Sequence, residues 1–245
     1  MTGDKDWYRQ AFNTEYLDLY AHRSDAAATE EVAWLSEVVI GGKPRTLLDL
    51  GCGAGRHTRA LARSGHEVLG IDLSRDLLQR AQEAGGPSHY CRGDMRQLPL
   101  ANAHFDFVLS LFTSFGYFPT DDENAIVIRE VVRVLKRDGE FVLDFLNAPM
   151  VRATLVSSTT SSHGDQTMVQ QRRISSDGRR VIKRVSLTGP DQDRQWTESV
   201  RLFGRDELIS MLHAADFTVT EVFGSLDGQR WTSKSPRCVL RAKKR

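Results

Sequence analysis

Apolar positions recur with two different periods along the middle of the chain, between about residues 45 and 147. Short apolar runs of strand length are separated by longer segments whose apolar residues recur three or four positions apart. The predicted strands are, in chain order, Thr46–Leu50, Glu67–Ile71, Ser88–Cys91, Phe105–Leu111 and Glu140–Phe145. Strands that alternate with helices predict a parallel sheet joined by right-handed crossovers.

The helical segments carry their own start and stop signals. One helix begins at the capping box Thr120-x-x-Glu123, and another ends before the Gly85-Gly86-Pro87 sequence, a strong stop signal. The predicted helices are Asp25–Ile40, 55–64, Leu73–Ala84, the segment from Thr120 to Gly139, and Arg205–Ala215.

The pattern changes after Pro149. Residues 157–166 (SSTTSSHGDQ) indicate a polar linker, and three segments of alternating polarity follow without helices. The turn Ser175-Ser176-Asp177-Gly178 favours a hairpin between the first two of these segments. The segments 167–174, 179–187 and 195–203 predict a small antiparallel sheet, and Phe217–Phe223 and Arg237–Ala242 predict two closing strands.

The composition excludes several classes of protein. With 33 Lys and Arg against 32 Asp and Glu, the net charge is +1, which argues against a long nucleic-acid tract as a partner. No apolar run approaches the roughly 18 residues that span a bilayer, and the polar N-terminus has no signal-peptide core. Cys52, Cys91 and Cys238 have no metal-site spacing. We therefore expect a cytoplasmic protein without nucleic-acid or membrane partners.

A glycine loop between the first strand and the next helix is the most informative feature of the chain. The stretch from Leu47 to Arg56 (LLDLGCGAGR) has the form G-x-G-x-G. Glycines there permit positive φ angles and a close approach of the backbone to a ligand. A dinucleotide fingerprint requires a third glycine at position 56, which is Arg, and the Gly-Lys-Ser/Thr of a P-loop is missing.

Three acids lie at the ends of three successive predicted strands. Asp49 precedes the glycine loop, Asp72 ends the second strand, and Asp94 follows the third. An acid at the position of Asp72 can accept hydrogen bonds from both hydroxyls of a ribose. Asp94 can accept from an adenine amino group while Met95 packs on the ring. The set favours a nucleoside ligand, although each acid alone is compatible with a helix cap or a turn.

Four motifs in order, DLGCGAGRHT, GIDLS, GDMRQLP and FDFVLSLFTSFGYF, resemble a class I S-adenosylmethionine-dependent methyltransferase over roughly residues 45–147. The C-terminal segments RLFGRDELISMLHAADFTVTEVFG and SPRCVLRAKKR are similar to the ends of such chains. The resemblance implies an α/β, Rossmann-like fold with a seven-stranded sheet whose last strand is antiparallel. It also implies S-adenosyl-L-methionine across the carboxyl ends of the strands. The inserted β segment and FNTEYLDLYAHR resemble the members that act on small molecules.

The resemblance assigns a role to each matching position. The residues it implies for cofactor binding are Asp49, Gly51 and Gly53 around the methionine portion, Asp72 at the ribose, Leu73, Asp94 and Met95 at the adenine, Leu111 and Phe112 on the methionine side, and Tyr16 and Tyr20 closing the site. The division that it implies is 1–40 as a helical lid, 41–150 as the cofactor-binding core, 151–204 as an inserted β segment over the active site, and 205–245 as the completion of the core sheet.

The acceptor is expected to be a small metabolite, aromatic or amine-bearing, methylated at O, N or an electron-rich carbon. Aromatic residues crowd the first 20 positions and the loop after the fourth strand, which favours an apolar pocket. That loop lacks the motif of DNA amino-methylating enzymes and the glutamates of arginine-directed ones, and no metal is expected. The candidates for a catalytic base are His22, Tyr20 and Tyr117, followed by His163 and Asp144, whereas His57 is expected on a helix surface.

Two other functions remain open at this point. An NAD-dependent oxidoreductase has a related sheet, but Arg56 replaces the glycine that its fingerprint requires. A non-catalytic protein that binds S-adenosylmethionine has the same acids. An RNA or protein acceptor and a homodimer are also compatible with the sequence, which does not identify the methylated atom.

Overall fold

Two β-sheets form the framework of the chain in a computed structural model, which describes residues 6–13, 25–190 and 193–245. The larger sheet has seven strands in the order β10-β11-β5-β4-β1-β2-β3, and the smaller has four in the order β6-β7-β8-β9. The strands of the larger sheet are β1 (Thr46–Leu50), β2 (Glu67–Asp72), β3 (His89–Arg92), β4 (Phe105–Ser110), β5 (Leu135–Leu146), β10 (Phe217–Phe223) and β11 (Arg237–Lys244). Strand β11 is antiparallel to both of its neighbours, whereas β1 to β5 pair in parallel. The predicted fold class is confirmed.

Helices cover the sheet and connect its strands. Their bounds are α1 (Tyr8–Ala11), α2 (Asp25–Trp34), α3 (Arg56–Arg63), α4 (Arg75–Glu83), α5 (Asp121–Val134), α6 (Ala148–Thr154) and α7 (Arg205–Ala214), and a π-helical turn, Leu35–Val39, continues α2. The predicted capping box is present at α5, where Thr120 and Glu123 bond each other's backbone. No described helix is long and apolar enough to cross a membrane.

The central strands β1 and β4 have buried apolar residues on both faces because helices cover both faces of the sheet. In β1, Leu48 and Leu50 belong to one buried cluster, and Leu47, which precedes Leu48, belongs to a second. The same division separates Val108 from Leu109 in β4. This packing fixes the register of the strands, and with it the edge at which their carboxyl ends meet.

The smaller sheet has one strand more than the sequence predicts. Its strands are β6 (Ser158–His163), β7 (Gln166–Ile174), β8 (Arg180–Thr188) and β9 (Arg194–Arg201). The extra strand, β6, lies in the segment predicted to be a polar linker, and that prediction was wrong. It is an edge strand that pairs antiparallel with β7, for example Thr160 opposite Val169. Its exposed serines and threonines give no apolar signal, so its backbone pairing was not visible in the sequence pattern.

The boundary between α5 and β5 also differs from the prediction. The helix predicted to reach Gly139 ends at Val134, and Leu135 already has an extended conformation. Leu135 pairs with Phe105 of β4 before the ladder shifts its register. The apolar period continues through Leu135 because this side chain is buried as a strand residue, and periodicity alone does not separate the two conformations.

Candidate active site

A cavity of about 250 Å³ lies where the first four strands end. Its walls include the glycine loop, the ends of β2 and β3, the segment after β4, and α1. The positions predicted for the cofactor that line it are Asp49, Gly51, Gly53, Asp72, Leu73, Asp94, Met95, Leu111 and Phe112. Tyr117, a catalytic candidate, lines it as well. Tyr16, Tyr20 and His22 lie outside the described residues, and His163 ends β6.

Gly51 allows the loop to approach the segment after β4 closely. Its φ angle is +78°, and a Cβ atom there would lie 2.6 Å from the Cβ of Ser114. Ser114 donates a hydrogen bond from its Oγ to the carbonyl oxygen of Gly51 at 3.1 Å. Glycine is therefore required at position 51 both by its backbone conformation and by the space available.

The Asp72 carboxylate organises the loop and faces the cavity. Its two oxygens accept from the backbone N–H groups of Gly53 and Ser74, each at 2.8 Å. Each carboxylate oxygen has a second lone pair, so both retain acceptor capacity for a ligand. Burial raises the pKa of Asp72 above its ordinary value despite these two bonds, because it disfavours the charged form.

Asp49 is a second buried carboxylate at the same cavity. Its side chain is 2% exposed, and Thr58 donates a hydrogen bond from Oγ1 to Oδ2 at 2.6 Å. Burial raises the pKa of Asp49, although His57, Thr58 and Arg56 act in the opposite direction. A cationic group bound in the cavity would offset the cost of burying the charge of this carboxylate.

Replacement of Asp49 is expected to raise thermal stability and to weaken ligand binding. Because the pKa of the folded state is raised, ionised Asp49 destabilises the empty protein at neutral pH, and the penalty disappears as the pH falls below that pKa. We expect D49N to raise the Tm of the ligand-free protein, by about 2–4 °C for each kcal/mol relieved. We expect the same variant to bind S-adenosylhomocysteine at least about tenfold more weakly, because it lacks the carboxylate charge.

Thermal unfolding followed from pH 7 to pH 5, with calorimetric titration of the ligand at pH 7, checks this prediction. The Tm difference between D49N and the native protein narrows where the pH falls through the raised pKa of Asp49, because the native carboxylate takes up a proton there. A lower Tm for D49N, or unchanged affinity, would contradict the assignment.

Asp94 lines the cavity and is held by an arginine that is not part of the lining. Arg96 donates to both of its oxygens, from Nε at 3.1 Å and from Nη2 at 2.7 Å. Burial by itself raises the pKa of Asp94, but the hydrogen bonds and charge of Arg96 outweigh it and lower that pKa. The guanidinium of Arg96 also lies 4.4 Å from the ring centre of Phe118. The predicted adenine contact of Asp94 therefore involves a carboxylate that is already oriented by its neighbour.

His57 was predicted on a helix surface, and that prediction was wrong. It is 6% exposed and lines the cavity, with Nε2 at 2.6 Å from Glu31 Oε2 on α2. Two residues further along α3, buried Arg59 donates to the Ala54 carbonyl at 2.6 Å and to Asp25 of α2 at 3.0 Å. These pairs attach α2 to the glycine loop. Sequence reasoning missed them because the partners are distant in the chain.

Aromatic side chains form one wall of the cavity, as the clusters in the sequence predict. Tyr8, Phe12, Tyr117 and Phe118 line it. The Tyr117 ring lies 5.2 Å from the ring of Trp7 and 5.6 Å from that of Phe12, measured between centroids. This wall joins α1 to the segment after β4 and gives the cavity an apolar surface.

Asp144 does not have the position of a catalytic base. Its side chain is completely buried, and it is absent from the cavity lining. Phe112 donates its backbone N–H to Oδ2, and Arg237 donates from Nε to Oδ1, both at 2.7 Å. A base has to reach the acceptor or a water beside it, which these contacts prevent.

Comparisons with known proteins support the resemblance seen in the sequence. A family model described as a methyltransferase domain matches residues 48–143. YqeM of Bacillus subtilis (strain 168) is 29% identical to the chain over 243 residues, which cover 96% of each sequence. The matched domain and this likeness support a class I S-adenosylmethionine-dependent methyltransferase. The chain is therefore an enzyme, and its cofactor is S-adenosyl-L-methionine.

Two further relatives extend the comparison. The dTDP-3-amino-3,4,6-trideoxy-alpha-D-glucopyranose N,N-dimethyltransferase of Streptomyces venezuelae is 25% identical, over 84% of this methyltransferase and 87% of that enzyme. A methyltransferase structure from Clostridium acetobutylicum ATCC 824 has a TM-score of 0.77 at 17% identity, covering 94% of this chain and 96% of that one. This second likeness supports the fold.

The cavity fits this cofactor on chemical grounds. S-adenosylmethionine carries an ammonium group, a ribose diol and an adenine, which need carboxylate or other acceptors. Asp49 is buried and Asp72 is half-buried at one cavity, and desolvation raises the pKa of both carboxyl groups, so donors from a ligand would compensate this cost. Among the described residues, the predicted positions that line the cavity are those that would hold the cofactor, with Ser114 added as the support of Gly51.

Proposed function

We propose that the enzyme transfers a methyl group from S-adenosylmethionine to a nitrogen, oxygen or electron-rich carbon of a small metabolite. The aromatic wall formed by Tyr8, Phe12, Tyr117 and Phe118 carries this proposal, because it gives the cavity an apolar surface beside Phe112. The name of the Streptomyces venezuelae relative, an N,N-dimethyltransferase of an amino sugar nucleotide, supports an amine-bearing acceptor in particular.

The chemistry requires positioning more than proton transfer. The bound cofactor supplies an electrophilic methyl group on a positively charged sulfur. Asp49, Asp72 and Asp94 would hold this cofactor, and transfer of the methyl group to the acceptor's lone pair would leave the electron pair of the carbon–sulfur bond on sulfur. The chain's contribution is to hold the two reactants in line and to exclude water, which can supply much of the rate enhancement. A neutral amine needs no base before attack, whereas an alcohol or an ammonium does.

The acceptor class can be tested directly. S-adenosylmethionine with a deuterated methyl group is incubated with the enzyme and sets of amino sugars, aromatic amines, phenols and sugars without an amine. Mass spectrometry then detects the transferred label. Label in amine-bearing compounds supports the proposal in its narrower form, and label in phenols alone supports oxygen methylation. If the cofactor binds but no label is transferred to any compound, and none to added RNA or protein, the result would favour the non-catalytic alternative.

Variants of Tyr117 distinguish a chemical role of its hydroxyl group from a packing role of its ring. Because its ring contacts Trp7 and Phe12, we propose that it acts as part of the acceptor wall. We expect Y117F to retain methyl transfer within about threefold, and Y117A to lose at least tenfold through the lost packing. Steady-state rates measured with the acceptor found above check this. A large loss in Y117F would instead assign the proton transfer to the hydroxyl.

Residues 1–40 and the inserted sheet are proposed to cover the acceptor. Support comes from α1, which contributes Tyr8 to the cavity. We also propose a cytoplasmic location, with support from the three free cysteines, which suit a reducing compartment. Homodimer formation remains a proposal that light scattering of the purified enzyme can test.

A further inference from the structure

Two consecutive residues after β4 have a backbone conformation that side chains disfavour. Phe112 has a φ angle of +56° and Thr113 one of +65°, and neither is a glycine. A bulky or β-branched residue in this region is strained, so the surrounding structure must hold it there. The Phe112 ring is also 39% exposed, which is unusual for a large apolar side chain in this protein.

An ion pair from the neighbouring strands holds this turn. Asp144 of β5 accepts the Phe112 N–H at Oδ2, and its backbone carbonyl accepts the Thr113 N–H at 3.2 Å. Arg237 of β11 donates to Asp144 Oδ1, and its Nη2 donates to Thr113 Oγ1 at 2.8 Å. These hydrogen bonds join Asp144 and Arg237 to each other and to the turn, so we call the two residues the turn clamp.

The clamped turn forms part of the cofactor site. Leu111 and Phe112 line the cavity. The Phe112 ring lies 4.7 Å from the guanidinium carbon of Arg56, which begins α3 beside the glycine loop. Ser114 donates to both the Leu111 and the Gly51 carbonyl oxygens, so the turn is joined to the glycine loop. A shift of the turn therefore moves two walls of the cavity together.

We infer that Asp144 and Arg237 are positioning residues of the methyl-transfer site, which hold Phe112 and Thr113 in the left-handed conformation that shapes the cofactor cavity. Neither residue is a catalytic group, because both act through the turn. The inference rests on the cofactor site and does not depend on the acceptor. Binding of S-adenosylhomocysteine to the native enzyme is thus the check on the site itself.

The test compares two ion pairs that join the same strands. Arg241 of β11 pairs with Glu140 of β5, outside the cavity lining, and serves as the matched control. In D144N the amide oxygen accepts one N–H, but its NH₂ group faces the second donor, so the clamp loses a bond. We expect D144N to bind S-adenosylhomocysteine at least about tenfold more weakly by calorimetry, and E140Q to bind within about twofold of the native enzyme.

A second substitution distinguishes positioning from a general loss of stability. Glycine adopts positive φ without strain, so T113G reduces the need for the clamp. We expect T113G to recover affinity by at least about threefold in the D144N background and not to improve it in the native background. Equal effects of T113G in both backgrounds, or equal affinities of D144N and E140Q, would overturn the inference.

A further pair of variants covers the case in which D144N does not fold. R237K keeps the charge but reaches only one of the two partners of Arg237, whereas R241K is its control on the same strand. We expect R237K to weaken binding at least about fivefold and R241K less than twofold. Native affinity in a folded R237K protein would overturn the inference, and a native enzyme that does not bind the ligand would instead refute the site.

Discussion

Replacement of Asp72 by alanine is expected to abolish most of the affinity for S-adenosylhomocysteine. The variant removes the carboxylate at the end of β2, whose oxygens retain acceptor capacity for a ligand. It also removes the acceptor for the Gly53 and Ser74 N–H groups. A hydrogen bond to a charged group contributes about 1.5–3 kcal/mol, so the loss of two such bonds to a ribose costs about 3–6 kcal/mol. We therefore expect at least a hundredfold weaker binding, since about 1.4 kcal/mol corresponds to a factor of ten.

Asp76 provides the control for this experiment. It lies four positions further along, on the exposed surface of α4, and D76A is expected to bind S-adenosylhomocysteine within about twofold of the native enzyme. The variant D72N tests the charge separately from the shape, and an intermediate affinity is expected because the amide retains one acceptor. If D72A bound as D76A does, Asp72 would be a structural residue of the loop and the assignment of the ribose site would be wrong.

Substitution of Gly51 by alanine is expected to affect both stability and binding. The φ angle of +78° costs an L-residue about 1–2 kcal/mol, and the new Cβ meets Ser114 Cβ at 2.6 Å. Because Ser114 also bonds the Leu111 carbonyl, the contact is relieved only by moving the loop or the turn that lines the cavity. We expect G51A to lower the Tm by more than about 4 °C and to weaken binding of the ligand at least about tenfold.

A variant at Gly41 separates the effect of backbone strain from the effect of the close contact with Ser114. Its φ angle is +85°, but no heavy atom lies within 4 Å of a Cβ at that position. The variant G41A therefore carries the backbone strain alone, and we expect a Tm decrease of about 2–8 °C with unchanged ligand affinity. Thermal unfolding and calorimetry of both variants check this. If G51A bound the ligand as G41A does, the close contact between Gly51 and Ser114 would have no role in shaping the site.

The parts of the fold that the sequence predicted are those that local physics determines. Strands such as β1 and β4 are buried on both faces, so their apolar runs are unambiguous. The glycine loop and Asp72 are also local, because the loop needs positive φ angles and the acid directly follows its strand. The edge strand β6 was missed because its stability comes from pairing with β7, and its serines and threonines leave no burial pattern.

The residues of the site that were missed depend on contacts between distant positions. The bond between His57 and Glu31 joins two helices, and the turn clamp joins Asp144 to Arg237 across two strands. Nothing in the residue types identifies these partners. A signal was present for Ser114 alone, because a small side chain is required wherever a strand end approaches a glycine loop.

The most direct test of the account is calorimetric titration of the native protein with S-adenosylhomocysteine and, in parallel, with NAD. The account predicts saturable binding of S-adenosylhomocysteine to one site per chain, with no heat of binding for NAD, because Arg56 replaces the third glycine of a dinucleotide loop. Binding of NAD in place of S-adenosylhomocysteine, or binding of neither ligand, would contradict the assignment of the cavity at the strand ends as the cofactor site.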